Sequence, residues 1–123
     1  FNPDTPKGQR SREQMYDILA AFSVRDQNNG YCQGLNFVVA FLLLFLSPEE
    51  AFWMLCVIVE KLLAGYFSKS MTNSQIDSAV FQDLVKQRLS KLHHHLSSLG
   101  VPLDVVFAQW FLTVYTLRFP SES

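Results

Sequence analysis

Gln33 lies between Gly30 and Gly34, in the segment Tyr31-Cys32-Gln33-Gly34-Leu35-Asn36, directly ahead of an apolar run. Its side-chain amide is neutral, so it is neither an acid nor a nucleophile. It can accept a hydrogen bond through its carbonyl and donate one through its NH2 at the same time. That combination suits a particular chemical role, holding a water for attack on a phosphoryl group while contacting a phosphate oxygen. Gly30 and Gly34 allow a positive φ or a close backbone approach, and the first amides of the helix that follows have no intrahelical partner. The same residues also admit a simpler role, in which Gln33 only satisfies backbone groups at a turn. The spacing is compatible with both.

Other chemistry is sparse. His93, His94 and His95 are consecutive, and on a helix such neighbours point about 100° apart, so they cannot converge on one ion; they read as surface or rim side chains. The sequence contains no Cys/His ligand set, no nucleophile–base pair and no GxxxxGK[ST] phosphate loop. Cys32 and Cys56 are the only cysteines and sit among apolar residues. They read as buried reduced thiols of a cytosolic protein rather than a disulfide scaffold. No metal and no cofactor of its own is expected.

The elements that must position Gln33 read as helices. Residues 1–10 carry two prolines and a glycine and predict a loop. Ser11 and Gln14 form a candidate capping box, followed by Met15, Ile18, Leu19 and Phe22 on one helical face ending near Val24. Arg25 to Gly30 is a polar turn. Phe37 to Leu46 predicts a helix buried on most sides, too short for the roughly 20 residues a bilayer span requires. Ser47-Pro48-Glu49-Glu50 is the sharpest helix start, with an inner stripe of Phe52, Leu55, Cys56 and Val59 running to about Leu63. A further helix begins at Asn73 or Ser74, with Ile76, Val80, Phe81, Leu84 and Val85 at helical spacing. A shorter one carries Leu92, Leu96 and Leu99 and stops at Gly100. The last runs from Leu103 to about Leu117, with Val106, Phe107, Trp110, Phe111 and Val114 inward, and Pro120 breaks it. Trp53 and Trp110 are expected in the core. No segment alternates with period two. The expectation is an all-α, irregular array of about six helices.

Composition agrees. Of 123 residues, 49% are hydrophobic and only 17% charged, which predicts apolar surface awaiting cover. The net charge is -1 and the ten basic residues are scattered, a pattern that fits neither nucleic acid nor an anionic membrane.

The Gly30–Asn36 segment closely resembles the YxQGMN signature of TBC domains, with Leu35 where Met is commonest. Ala51-Phe52-Trp53, after an acidic helix start, is similar to the family's EEAFW. The stretch from Leu92 through His95-Leu96 to Leu99-Gly100-Val101 resembles its LxxHLxxLGV, and Gln109 to Thr113 resembles its QWFLTLF, followed by Phe119-Pro120. Their order and spacing agree, and the resemblance covers residues 11–120. It implies the N-terminal part of a TBC domain, with residues 1–10 as an entry loop and the remainder of the domain missing after residue 123.

That resemblance implies a GTPase activator for Rab-family small GTPases. The family inserts an arginine, from an IxxDxxR motif, and the YxQ glutamine into the partner's nucleotide site. Gln33 matches the glutamine, and Tyr31, Cys32, Gly34 and Asn36 match partner-binding positions around it. The arginine is expected just upstream of residues 1–10. Arg10, Arg12, Arg25, Arg88 and Arg118 lack Ile and Asp at the required offsets, and Arg12 reads as an exposed helix residue. An arginine finger contributes roughly 10³–10⁵ in rate, which a neutral glutamine does not replace, so the chain alone is expected to be inactive. Such a protein is no enzyme itself: it acts in trans, and Mg and GTP belong to the partner. It would be cytoplasmic, reaching membranes only through the Rab or flanking domains. The alternatives are a binding module of the same fold that does not accelerate hydrolysis, and a helical scaffold with a coincidental YCQG turn, which a buried Gln33 would favour.

Overall fold

Thr5 starts the first helix. In the computed structural model, which describes residues 4–28 and 32–116, α1 spans Pro6–Arg25. The Thr5 hydroxyl accepts from the Gly8 amide at 3.1 Å, and Pro6 takes the first turn, where its missing N–H costs nothing. The loop expected through Arg10 is therefore corrected: the helix begins at Pro6. The Ser11 capping box does not form either, since Ser11 lies inside the helix and its hydroxyl donates to the Lys7 carbonyl at 2.9 Å.

Two groups of helices follow. In the first, α1 packs on α2 (Leu35–Leu42) and α3 (Pro48–Val57), and α3 widens into a π-helical turn at Ile58–Leu62. Phe22, Leu35, Val39, Leu55, Val59 and Phe67 are almost completely enclosed there, each contributing on the order of 1.5–3 kcal/mol by leaving water. The expected start of α3 is present in full. Ser47 Oγ accepts from the Glu50 amide, and the Glu50 carboxylate accepts from the Ser47 amide at 2.9 Å. Arg25, the last residue of α1, donates to both carboxylate oxygens of Glu60 at 2.9 and 3.3 Å and lies 5.4 Å from the centre of the Trp53 ring. Trp53 itself is 52% exposed, which corrects its expected place in the core: it stands on the outer face of α3, on the side away from Leu55.

In the second group α4 (Thr72–Arg88) packs against α5 (Ser90–Ser98) and α6 (Leu103–Leu112). Phe81 meets Phe107 edge-on at 4.3 Å and Phe111 at 5.7 Å. The inner stripe of α4 is Ser74, Ser78, Phe81 and Val85, while Ile76, Val80 and Leu84 are exposed. Apolar residues lie on two faces of this helix, and the face with serines is the one that faces inward. Leu89, Leu92 and Leu99 are exposed as well, so both α4 and α5 and the residue between them carry exposed apolar side chains. α5 ends as expected at Gly100, whose φ of +70 lets the Val101 amide reach the Leu96 carbonyl and the Gly100 amide the Ser97 carbonyl. α6 stops at Leu112, short of the expected Leu117, and Val114 beyond it is exposed rather than inward.

The fold is all-α, with six α-helices and no strand among the described residues. No helix of the described residues is long and apolar enough to cross a membrane. Cys32 and Cys56 are buried free thiols, and burial raises the pKa of both. His93 is half-buried, His94 and His95 are exposed, and no metal-ligating group forms among the described residues.

Candidate functional site: the Gln33 turn

Cys32, Gln33 and Gly34 form a tight turn that leads into α2. The Leu35 amide donates to the Cys32 carbonyl at 3.2 Å, and the amides of Phe37 and Val38 donate to the Gly34 carbonyl. Cys32 anchors the turn from below: it is 9% exposed and its Sγ lies 3.6 Å from the Gln33 carbonyl. Leu35, with no exposed surface, anchors it from the other side. Between these two anchors Gln33 is exposed. The apolar residues on either side sink into the core, so the polar side chain between them is turned outward.

Gly34 is the N-cap of α2 at φ +105, and no side chain caps that helix start. It is buried against the last turn of α6. An ideal Cβ built on it would come within 2.8 Å of the Leu112 carbonyl oxygen. Gln33 and Gly34 thus line one wall of a groove of about 490 Å³ whose other wall is α6, through Val105, Ala108, Gln109, Leu112 and Thr113; Phe37 closes the end. The groove is mostly apolar in its lining and carries no ionisable side chain. An exposed neutral amide at its lip can orient a polar species arriving from outside but cannot neutralise charge.

The other residues expected around Gln33 are placed unevenly. Cys32 and Gly34 are buried, so their contribution to a partner would pass through backbone and shape. Asn36 is half-buried and lines a second groove, of about 300 Å³, between α1 and α2, which Arg12 and Phe37 also line. Arg12 is exposed, as expected. Tyr31 and Gly30 lie outside the described residues, as do Arg118, Phe119 and Pro120. The α6 wall carries part of the QWFLT segment. Both segments are visible in the sequence, but nothing in their spacing indicates that they meet.

A family model described as the Rab-GTPase-TBC domain matches residues 2–123. TBC1 domain family member 2B of Homo sapiens is 41% identical over 104 residues, covering 84% of this chain and 11% of that protein. A TBC domain-containing protein of Schizosaccharomyces pombe is 43% identical over 107 residues, covering 85% of this chain and 14% of its own length. TBC1 domain family member 2A of Mus musculus is 47% identical over 100 residues, covering 80% of this chain and 11% of its own length. The chain thus spans about a tenth of the length of such curated relatives, 11% in the human case.

Proposed function

The chain belongs to the Rab-GTPase-TBC domain family, and from that premise we propose that it serves to accelerate GTP hydrolysis on a Rab-family small GTPase, with Gln33 holding the attacking water. The observation that carries this reading is the exposed Gln33 amide, raised on a turn whose neighbours are buried, at the lip of a groove. The partner brings GTP and Mg. In the transition state of phosphoryl transfer the water must lie in line with the leaving oxygen, and an amide that accepts from the water and donates to a phosphoryl oxygen fixes that alignment. The transferred charge needs a cation that Gln33 does not supply. No arginine in these 123 residues has Ile and Asp at the offsets of IxxDxxR, so the 123-residue chain alone does not accelerate hydrolysis, whereas a protein that also carries that arginine does. Such a protein works in the cytoplasm on Rab-bearing vesicle membranes.

A second reading is a binding module of the same fold that engages a GTPase without accelerating it; an IxxDxxR motif preceding Phe1 in the full-length protein supports the activator, and a full-length protein without one there supports the binder. Single-turnover GTP hydrolysis separates the two. Full-length protein is mixed with a panel of GTP-loaded Rab GTPases, alongside its Gln33→Ala variant. The activator reading requires acceleration that drops about 10²-fold or more with Gln33→Ala. Binding without acceleration on every member of the panel establishes the second reading instead.

A further inference from the structure

We propose that the last turn of α6, closed by the buried Thr113 hydroxyl, is the platform that sets the Gln33 turn, and that Thr113 and Gly34 are positioning residues for Gln33. This rests on the water-holding role proposed for Gln33 and names how that side chain is held.

Within the turn, the Leu35 amide bonded to the Cys32 carbonyl and the burial of Cys32 and Leu35 hold the backbone, but the side-chain contribution is weak. α2 begins without a side-chain cap, and the Cys32 thiol is a weak donor at 3.6 Å. What restrains it from outside is α6. Gly34 lies so close to Leu112 that a methyl group would meet the carbonyl oxygen at 2.8 Å, its carbon at 3.2 Å and the Leu112 Cβ at 3.3 Å. Two of these three atoms are backbone, which cannot rotate away. The φ of +105 at Gly34 adds a conformation that residues with a Cβ rarely adopt. Any shift of Leu112 is therefore passed directly to the residue following Gln33.

Leu112 in turn is held where α6 stops. Thr113 is 2% exposed, and its hydroxyl donates to the Gln109 carbonyl at 2.9 Å, with the Trp110 carbonyl at 3.4 Å. Its amide donates to the Gln109 carbonyl as well. The Val114 amide then reaches the Phe111 carbonyl and the Tyr115 amide the Trp110 carbonyl, closing the helix with left-handed residues at φ 50 and 60. A buried threonine hydroxyl folded back on its own helix adjusts the helix end, and here that end is the surface on which Gly34 rests. Thr113 touches neither substrate nor water in this scheme; it acts through Leu112 and Gly34.

The test uses full-length protein and single-turnover hydrolysis by a GTP-loaded Rab that it accelerates. The maximal rate and the half-saturating protein concentration are read separately for Gln33→Ala, Gly34→Ala, Thr113→Val, Thr113→Ser and the double variant Gln33→Ala/Thr113→Val. Thr113→Val keeps the volume and removes the hydroxyl, and thermal melting checks that each variant folds. The expected result is a fall in maximal rate of about tenfold to a hundredfold for Gly34→Ala and Thr113→Val. Half-saturation should change less than about threefold, and Thr113→Ser should retain most of the rate. The double variant should be no slower than Gln33→Ala alone, because a residue that acts through Gln33 has nothing left to position. Rate losses that multiply in the double variant overturn the proposal, as does an unchanged maximal rate for a folded Thr113→Val. If Gln33→Ala has no effect, the proposed role of Gln33 fails first and the platform fails with it. If Gln33→Ala is slow and Thr113→Val is not, only the platform fails.

Discussion

Gly34 and Leu112 belong to helices that begin and end far apart in sequence, yet a Cβ on Gly34 would stand 2.8 Å from the Leu112 carbonyl oxygen. This contact ties the first helix group to the second. Phe111 and Leu112 pack against the core built around Leu35 and Leu55, and the Gln33 turn sits on the seam.

Gly34→Ala should therefore destabilise the fold as well as disturb the site. The left-handed backbone alone costs about 1–3 kcal/mol for a residue with a Cβ, and the contact with backbone atoms adds to it. A melting temperature lowered by several degrees relative to the parent is expected. An unchanged melt would mean that neither the left-handed backbone at Gly34 nor the close approach of α6 holds in solution.

The N-terminus of α3 gives a second prediction. Ser47→Ala removes the acceptor for the Glu50 amide and should cost about 1 kcal/mol. The Ser47 amide and hydroxyl both donate to Glu50 and hold its carboxyl below the usual range. A carboxyl lowered in the folded state adds stability above its unfolded pKa of about 4.3, and loses it as pH falls through the folded value. The parent should lose part of its denaturant midpoint on acidification below about pH 4.3, and Glu50→Gln should flatten that part of the curve. Identical acid profiles for parent and Glu50→Gln would show that the box does not form in solution.

At the other end of the pH scale, Tyr66 is the relevant group. Its hydroxyl donates to Asp77 at 2.7 Å, and burial, reinforced by that hydrogen bond, pushes its pKa well above the usual tyrosine value. The raised value favours the neutral phenol in the folded state. That stability is complete below the unfolded value near about 10 and fades as pH rises through the folded one. Tyr66→Phe should cost about 1 kcal/mol at neutral pH and should lessen the loss of stability above about pH 10. Chemical denaturation at neutral and alkaline pH measures both effects.

The elements legible in the sequence are those with one dominant signal. Ser47-Pro48-Glu49-Glu50 combines an N-cap, a proline at the first turn and a reciprocal carboxylate, and all three are used. Gly100 closes α5 because a left-handed residue is required there. The start of α1 is obscured because two signals compete. Ser11-x-x-Gln14 has the form of a capping box, but Thr5-Pro6 comes earlier and the chain between them is already helical. The inner face of α4 is hidden for a different reason: Ile76, Val80 and Leu84 form a stripe as regular as the buried one, and burial is decided by α6, which presents Phe107 and Phe111 to Phe81. Gln33 is visible as a candidate because glycines and polar residues stand directly ahead of an apolar run. The α6 wall beside it is not, since its nearness to Gly34 is a tertiary contact that periodicity does not encode.

The last prediction concerns the charge of Gln33. Gln33→Glu keeps the length and shape of the side chain but replaces the NH2 donor with an oxygen. Under the activator reading this should be at least as damaging as Gln33→Ala, although a carboxylate can still accept from water. The amide donates to a phosphoryl oxygen that carries negative charge in the transition state. A carboxylate there offers no donor at neutral pH and adds repulsion in a site from which water is displaced, where charges are weakly screened. The groove behind it has no ionisable lining residue to compensate. Single-turnover hydrolysis at saturating protein should fall by about 10²-fold or more for Gln33→Glu. Half-saturation with a GTP-loaded Rab should weaken much less, because one side chain is a small part of a broad interface. A Gln33→Glu rate close to that of the parent would mean that the side chain serves only to accept from the water, and the donor half of the proposed role would be withdrawn.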